Sequence, residues 1–206
     1  MYKQEVNVME KPIRMYKIKG TDKVVRLYPD NDSCSPREDS HLGKMICSHK
    51  GYNLGDEQIK NTDDFGSWDE IEKWLLETKD IYFMYPLYLY DHSGITISIN
   101  PFGCRWDSGQ VGFIYALKAD VKEEGITLEG VKDALKAEVE CYDQYLTGDI
   151  YGFVVEHDET CDKCGNTEQM HDDSCFGFYG YDIKTNGMLD HIGVKFEELE
   201  EVDVDG

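Results

Sequence analysis

Cys161 and Cys164 are followed by His171 and Cys175, a C-x2-C-x6-H-x3-C arrangement. Thiolate and imidazole are ligands that tetrahedral zinc prefers, and four of them fill its coordination sphere, so the set predicts a structural ion with no open position for catalysis. The four lie in or beside a polar excursion, residues 157–174, between two apolar runs. Such a segment has little core of its own, and a metal would order it. The alternative is that the thiols are unligated and that Cys175, at the head of an aromatic run, belongs to the core. A second set, Cys34, His41, Cys47 and His49, is poorly spaced for a site and reads as a core cysteine beside an exposed histidine.

Cys104 with His92 as base and Asp107 or Asp91 as orienter supplies the residue types of a cysteine hydrolase. If residues 95–99 form a strand, His92 and Cys104 stand at its opposite ends, about 17 Å apart at ~3.3 Å per residue. A base must reach its nucleophile, so the dyad requires the loop 100–110 to fold back along the sheet. The simpler reading makes His92 a turn residue and Cys104 partly buried. Asp107 and Gln110, between the glycines at 103, 109 and 112 and beside Trp106, form a polar group that a ligand could approach closely. Asp30 with Asp32 and Asp203 with Asp205 lack the remaining ligands of a calcium loop, and the chain has no P-loop, dinucleotide fingerprint or HExxH.

Charge carries a different kind of chemistry. Forty-two Asp and Glu against 21 Lys and Arg give a formal net charge of -21 over 206 residues. That balance repels nucleic-acid phosphate and anionic lipid, so direct contact with either is not expected; the natural partner is a basic surface. A solvated acidic shell serving only solubility is the plain alternative. The candidate contact residues are Glu123, Glu124, Glu129, Asp133, Glu138 and Glu140, near or along one amphipathic helix, supported by the acidic end of the chain. Seven cysteines in a chain too large to need disulfide staples point to a reducing, cytoplasmic setting, and no apolar run is long enough for a membrane span.

The elements that must position these groups follow from periodicity. Ile13–Lys19 and Lys23–Tyr28 read as a hairpin turning at Gly20, residues 29–43 as a loop, and Met45–Cys47 as a short strand. Ser67 with Glu70 predicts a helix start, with Trp68, Ile71, Trp74 and Leu75 as its apolar face. Residues 81–115, which carry only Asp91, Arg105 and Asp107 as full charges, predict a buried meander: a strand ending at Tyr90, a turn through Asp91-His92-Ser93-Gly94, and strands at 95–99 and 111–117. Leu128, Val131, Leu135, Val139, Tyr142 and Leu146 form the stripe of a second helix closed by Gly148. Strands are expected at 150–155, 175–183 and near Val194, and residues 197–206 as a frayed acidic tail. The fold class is α+β, a mainly antiparallel sheet with two principal helices, as one domain over residues 1–196.

Three segments, SPREDSHLGKMICSHKGYNLGDEQ at 35–58, YPLYLYDHSGITISINPFGCRWDSGQVGFIYA at 85–116 and YDQYLTGDIYGF at 142–153, resemble a family of bacteriophage and mobile-element proteins. The resemblance implies an origin and assigns no activity or catalytic residues. In a phage setting, an acidic protein is expected to occupy the nucleic-acid groove of a host nuclease or other defence enzyme, in the manner of anti-CRISPR or anti-restriction inhibitors, inside the host cytoplasm. Two alternatives stand beside this expectation. One is a small hydrolase or transferase using the Asp91-His92-Ser93 turn and the loop from Cys104 to Gln110; the other is a zinc-stabilised structural or interaction protein.

Overall fold

The computed structural model describes residues 11–59 and 65–204. Helices and strands are both present and the class is α+β, as the periodicities predict. Contacts gather the described chain into two compact units, residues 34–147 and the flanking segments 11–33 with 148–204.

The flanking segments build an antiparallel five-stranded sheet in the order β10-β1-β2-β8-β9, from β1 (Arg14–Ile18), β2 (Lys23–Pro29), β8 (Ile150–Thr160), β9 (Thr167–Tyr179) and β10 (Leu199–Val202). Gly20 makes the β1–β2 turn at φ 79°, a backbone region that residues with a Cβ resist. Alternate residues Tyr16, Val25, Leu27, Phe153 and Val155 point to one face and pack with Phe178, Ile183, Met188 and Leu199. The segment near Val194 is not a strand. It follows a short helix α4 (Met188–Ile192) held between Gly187 and Gly193, both in the left-handed region.

Two further expectations are corrected here. Residues 197–206 are not a frayed tail in their described part: Leu199–Val202 pair with β1, Ile18 opposite Leu199 and Met15 opposite Val202. Leu199 is buried while Glu200 and Glu201 stay exposed, so the carboxylates sit on an edge strand, where charge discourages further pairing. Residues 157–174 are not an insertion between strands. They are the distal half of the β8–β9 hairpin, laddered out to Thr160 opposite Thr167.

Residues 34–147 form a second sheet, in the order β4-β3-β7-β5-β6, antiparallel except for the β3–β4 pair. Its strands are β3 (Gly43–Cys47), β4 (Glu57–Gln58), β5 (Ile81–Asp91), β6 (Ile95–Ser98) and β7 (Ser108–Leu117). β7 lies between β3 and β5, with β6 at the edge, so the chain crosses β5 on its way from β6 to β7 and does not run as a simple meander. Phe113 and Tyr115 pack with Ile71 and Leu75 of α1 (Trp68–Thr78). Ile114 and Ala116, on the opposite face, pack with Val131, Leu135 and Val139 of α3 (Leu128–Thr147). A strand covered on both faces reads as a continuous apolar run, which accounts for the weakly charged block. At Gly112 a Cβ would stand 2.2 Å from the Ile46 carbonyl oxygen, so the close approach of β7 to β3 requires glycine there. A separate short helix, α2 (Lys118–Glu124), precedes α3 and ends at Gly125 in the left-handed conformation. No helix among the described residues is long and apolar enough to cross a membrane.

Candidate functional site

The loop after β6 does fold back. Asp107 Oδ2 lies 3.4 Å from His92 Nδ1 and accepts from Cys104 Sγ at 3.4 Å, so these three residues meet despite the strand between them. His92 is still a turn residue and Cys104 is half-buried, as the simpler reading has it, and the two meet only through Asp107. The Ser108 hydroxyl closes the loop onto the Cys104 carbonyl, and Tyr90 stacks on His92 and meets Phe102 at a tilt. Ser93, at φ 60°, takes the tight turn beside His92.

Chemically the contacts run in the wrong order for a nucleophile. A base must touch the sulfur and an orienter must touch the base, whereas here sulfur and imidazole both address one carboxylate oxygen. Gln110 stands apart, turned to the Gly112 carbonyl and lining a different cavity with Ser48, His49 and Trp68. Asp91 accepts from the Tyr52 hydroxyl at 3.3 Å. Trp106 projects from the same loop with 94% of its surface exposed.

The four expected zinc ligands are not brought together. Cys161 and Cys164 occupy the exposed turn at the hairpin tip, while His171 pairs opposite Glu156 and Cys175 opposite Phe153. Counted from Thr167 at ~3.3 Å per residue, His171 is about 13 Å and Cys175 about 26 Å down the strand. Among the described residues no group of three or more His, Cys, Asp or Glu is placed to hold a metal. Backbone N–H groups of Lys163 and Cys164 point at the Cys161 sulfur and, with the Cys164 thiol, lower its pKa from the usual value. In the second set, Cys47 is fully buried and its thiol is pushed up to about 12 by burial, while His41 bonds the Pro36 carbonyl.

The expected carboxylate face divides into three fates. Glu123, Glu124 and Glu140 are exposed. Glu129 and Asp133 are bridged by Lys132 at 3.3 Å and Lys136 at 3.8 Å. Glu138 turns inward, which corrects its assignment as a contact residue: it receives the Gly43 N–H at 3.0 Å and Arg37 Nη1 at 2.9 Å, with 13% of its side chain exposed.

Arg37 was not singled out by sequence reasoning, since a lone arginine in a polar loop carries no periodic signal. Its guanidinium, 5% exposed, grips Asp56 through two hydrogen bonds of 2.8 and 2.6 Å, bonds Glu138, and donates to the Gly43 carbonyl at 2.7 Å. Burial works against both charged groups of the Arg37–Asp56 pair; their mutual hydrogen bonds outweigh it, so Arg37 is raised and Asp56, which also receives the Met45 N–H, is lowered. A cavity of about 650 Å³ opens beside this cluster, lined also by His41, Asn53 and Tyr142. Every charged group of the cluster is already engaged, so it ties the 34–43 loop to β3 and α3.

Carboxylates without a cationic partner also lie on the distal β8–β9 hairpin. Asp158, Glu159, Asp162 and Glu168 are exposed and make no ion pair among the described residues, whereas nearer the sheet Glu156 is held by Arg26 and Asp172 by Lys23. Lys163 is the only Lys or Arg between residues 156 and 173. Comparison of the chain with protein-family models, curated proteins and solved structures returned no match.

Proposed function

We propose that the protein is a non-enzymatic binding protein that meets a basic surface of its partner with the distal β8–β9 hairpin. The observation that supports this is the uncompensated charge of Asp158, Glu159, Asp162 and Glu168 on a narrow ribbon projecting past the edge of its sheet, since β2 pairs with β8 only as far as His157. Clustered negative potential on a slender element raises the encounter rate with a positively charged groove and substitutes for phosphate there. The α3 face serves this role less well, because lysines interleave its acids and Glu138 is consumed inside. In the bacteriophage or mobile-element setting that the sequence resemblance implies, the partner is a host nuclease or other defence enzyme, engaged in the host cytoplasm.

The test is affinity capture from host lysate with the wild-type chain and with the triple variant Asp158→Lys, Glu159→Lys, Glu168→Lys. A basic enzyme retained at low salt, released at high salt and absent with the variant is the expected result. Equal retention by the variant, or retention indifferent to salt, refutes the assignment of the hairpin.

A further inference from the structure

The β8–β9 hairpin ends in a turn that charge recognition does not require. Cys161 N–H donates to the Asn166 carbonyl at 2.8 Å, and Gly165 N–H donates to the Cys161 carbonyl at 2.8 Å. Gly165 takes φ 74°, the left-handed conformation that lets the chain reverse after the second cysteine. Cys161 and Cys164, both exposed, flank this reversal three residues apart. A C-x2-C pair of free, exposed thiols on a tight turn is the arrangement from which a metal knuckle is built. A divalent ion of the zinc type needs four such ligands.

The same chain does not supply the other two. His171 and Cys175 are strung down β9, and no third His, Cys, Asp or Glu joins the two sulfurs among the described residues. The turn is, however, fully accessible. Residues 158–169 are all exposed, and three laddered residue pairs beyond His157 carry the tip about 10 Å past β2, at ~3.3 Å per residue. Nothing in this unit stands in the way of a second tip.

We propose that the hairpin tip is half of a metal site, and that two copies of the chain share one thiophilic divalent ion through Cys161 and Cys164 of each. Each thiol gives its proton to solvent as its sulfur–metal bond forms, so four protons leave per ion bound. Asp158, Glu159, Asp162 and Glu168 surround the tip in each copy and repel the other copy, which makes the cation a condition of pairing as well as its bridge. The shared site lies on the same hairpin as the partner surface proposed above, but the cysteine variants leave the hairpin's carboxylates intact, so the two readings fail separately.

Full-length protein kept reduced with a phosphine is titrated with Zn2+ while metal content and molar mass are followed by elemental analysis and light scattering. One ion per two chains, a twofold rise in molar mass reversed by chelator, and intense sulfur-to-metal charge-transfer bands on replacement by Co2+ are expected. The Cys161→Ser, Cys164→Ser double variant should stay monomeric and bind no ion. His171→Ala should behave as wild type. One ion per chain without a change in mass, no binding, or a dimer that survives the double cysteine variant overturns the proposal.

Discussion

Removing the Arg37 guanidinium leaves Asp56 and Glu138 without the cation both are bonded to, at 22% and 13% side-chain exposure. An uncompensated, largely buried carboxylate is more costly than a lost surface bridge, and Arg37→Ala is expected to destabilise residues 34–147 by about 3–5 kcal/mol. Arg37→Lys keeps the charge but loses the fork that spans Asp56, and should fall between. Urea unfolding measures both, and a loss under about 1 kcal/mol for the alanine variant would show the cluster to be peripheral. The pH dependence follows from the lowered pKa of Asp56, whose ordinary value is 3.8. A depressed folded-state pKa contributes stability that is complete above the unfolded value and disappears as pH falls through the folded one. Wild-type stability should therefore decline below about pH 4, and the Arg37→Ala variant should lose most of that acid-dependent step.

At the level of elements, β10 is where pattern reading and structure part most sharply. Glu-rich composition from 197 onward reads as a solvated tail, yet buried Leu199, the ladder to β1 and the Arg14–Glu201 ion pair seat the strand, on an edge where charge is tolerated. Ending the chain after Glu198 removes Leu199 from the cluster it shares with Tyr16 and Leu27 and leaves β1 paired only with β2; it is expected to cost the flanking sheet about 2–4 kcal/mol from lost apolar burial and ladder bonds, read by thermal unfolding. A change within about 0.5 kcal/mol would return the segment to the status of a tail. The β1–β2 hairpin, α1 and α3 were legible because turn chemistry, a capping serine and a single apolar stripe each have a local signature. Ser67 does accept from Glu70 N–H at 3.3 Å, although Glu70 reaches back to Gly66 at 2.7 Å rather than to Ser67. Strand order was not legible, since β6 and β7 look adjacent in sequence and only packing on two helical layers decides which one β5 separates from β3. The length of β8 and β9 was hidden because both faces of the overhang meet water and lose the alternation that marks a half-buried strand. Of the candidate sites, the Cys161–Cys164 turn was visible in its spacing; the meeting of His92, Cys104 and Asp107 depends on a loop conformation that no periodicity encodes.

For the whole molecule, the excess of carboxylates divides almost evenly between the two units, so neither is an acidic appendage of the other. Self-repulsion of this size opposes any compact state and is screened within about 10 Å at 0.1 M salt. Adding NaCl to about 0.5 M is therefore expected to raise the melting temperature of both units, seen as two calorimetric transitions; a fall would mean that the ion pairs outweigh the repulsion. The connectivity carries a consequence for biosynthesis. Strands β2 and β8 lie side by side, Pro29 opposite Tyr151, although the whole of residues 34–147 is translated between them. The nascent β1–β2 hairpin must wait, unpaired on both edges, while the intervening unit folds on local contacts of its own. Only when β8 and β9, and last of all β10, leave the ribosome can the flanking sheet close, so the protein matures from its middle outward.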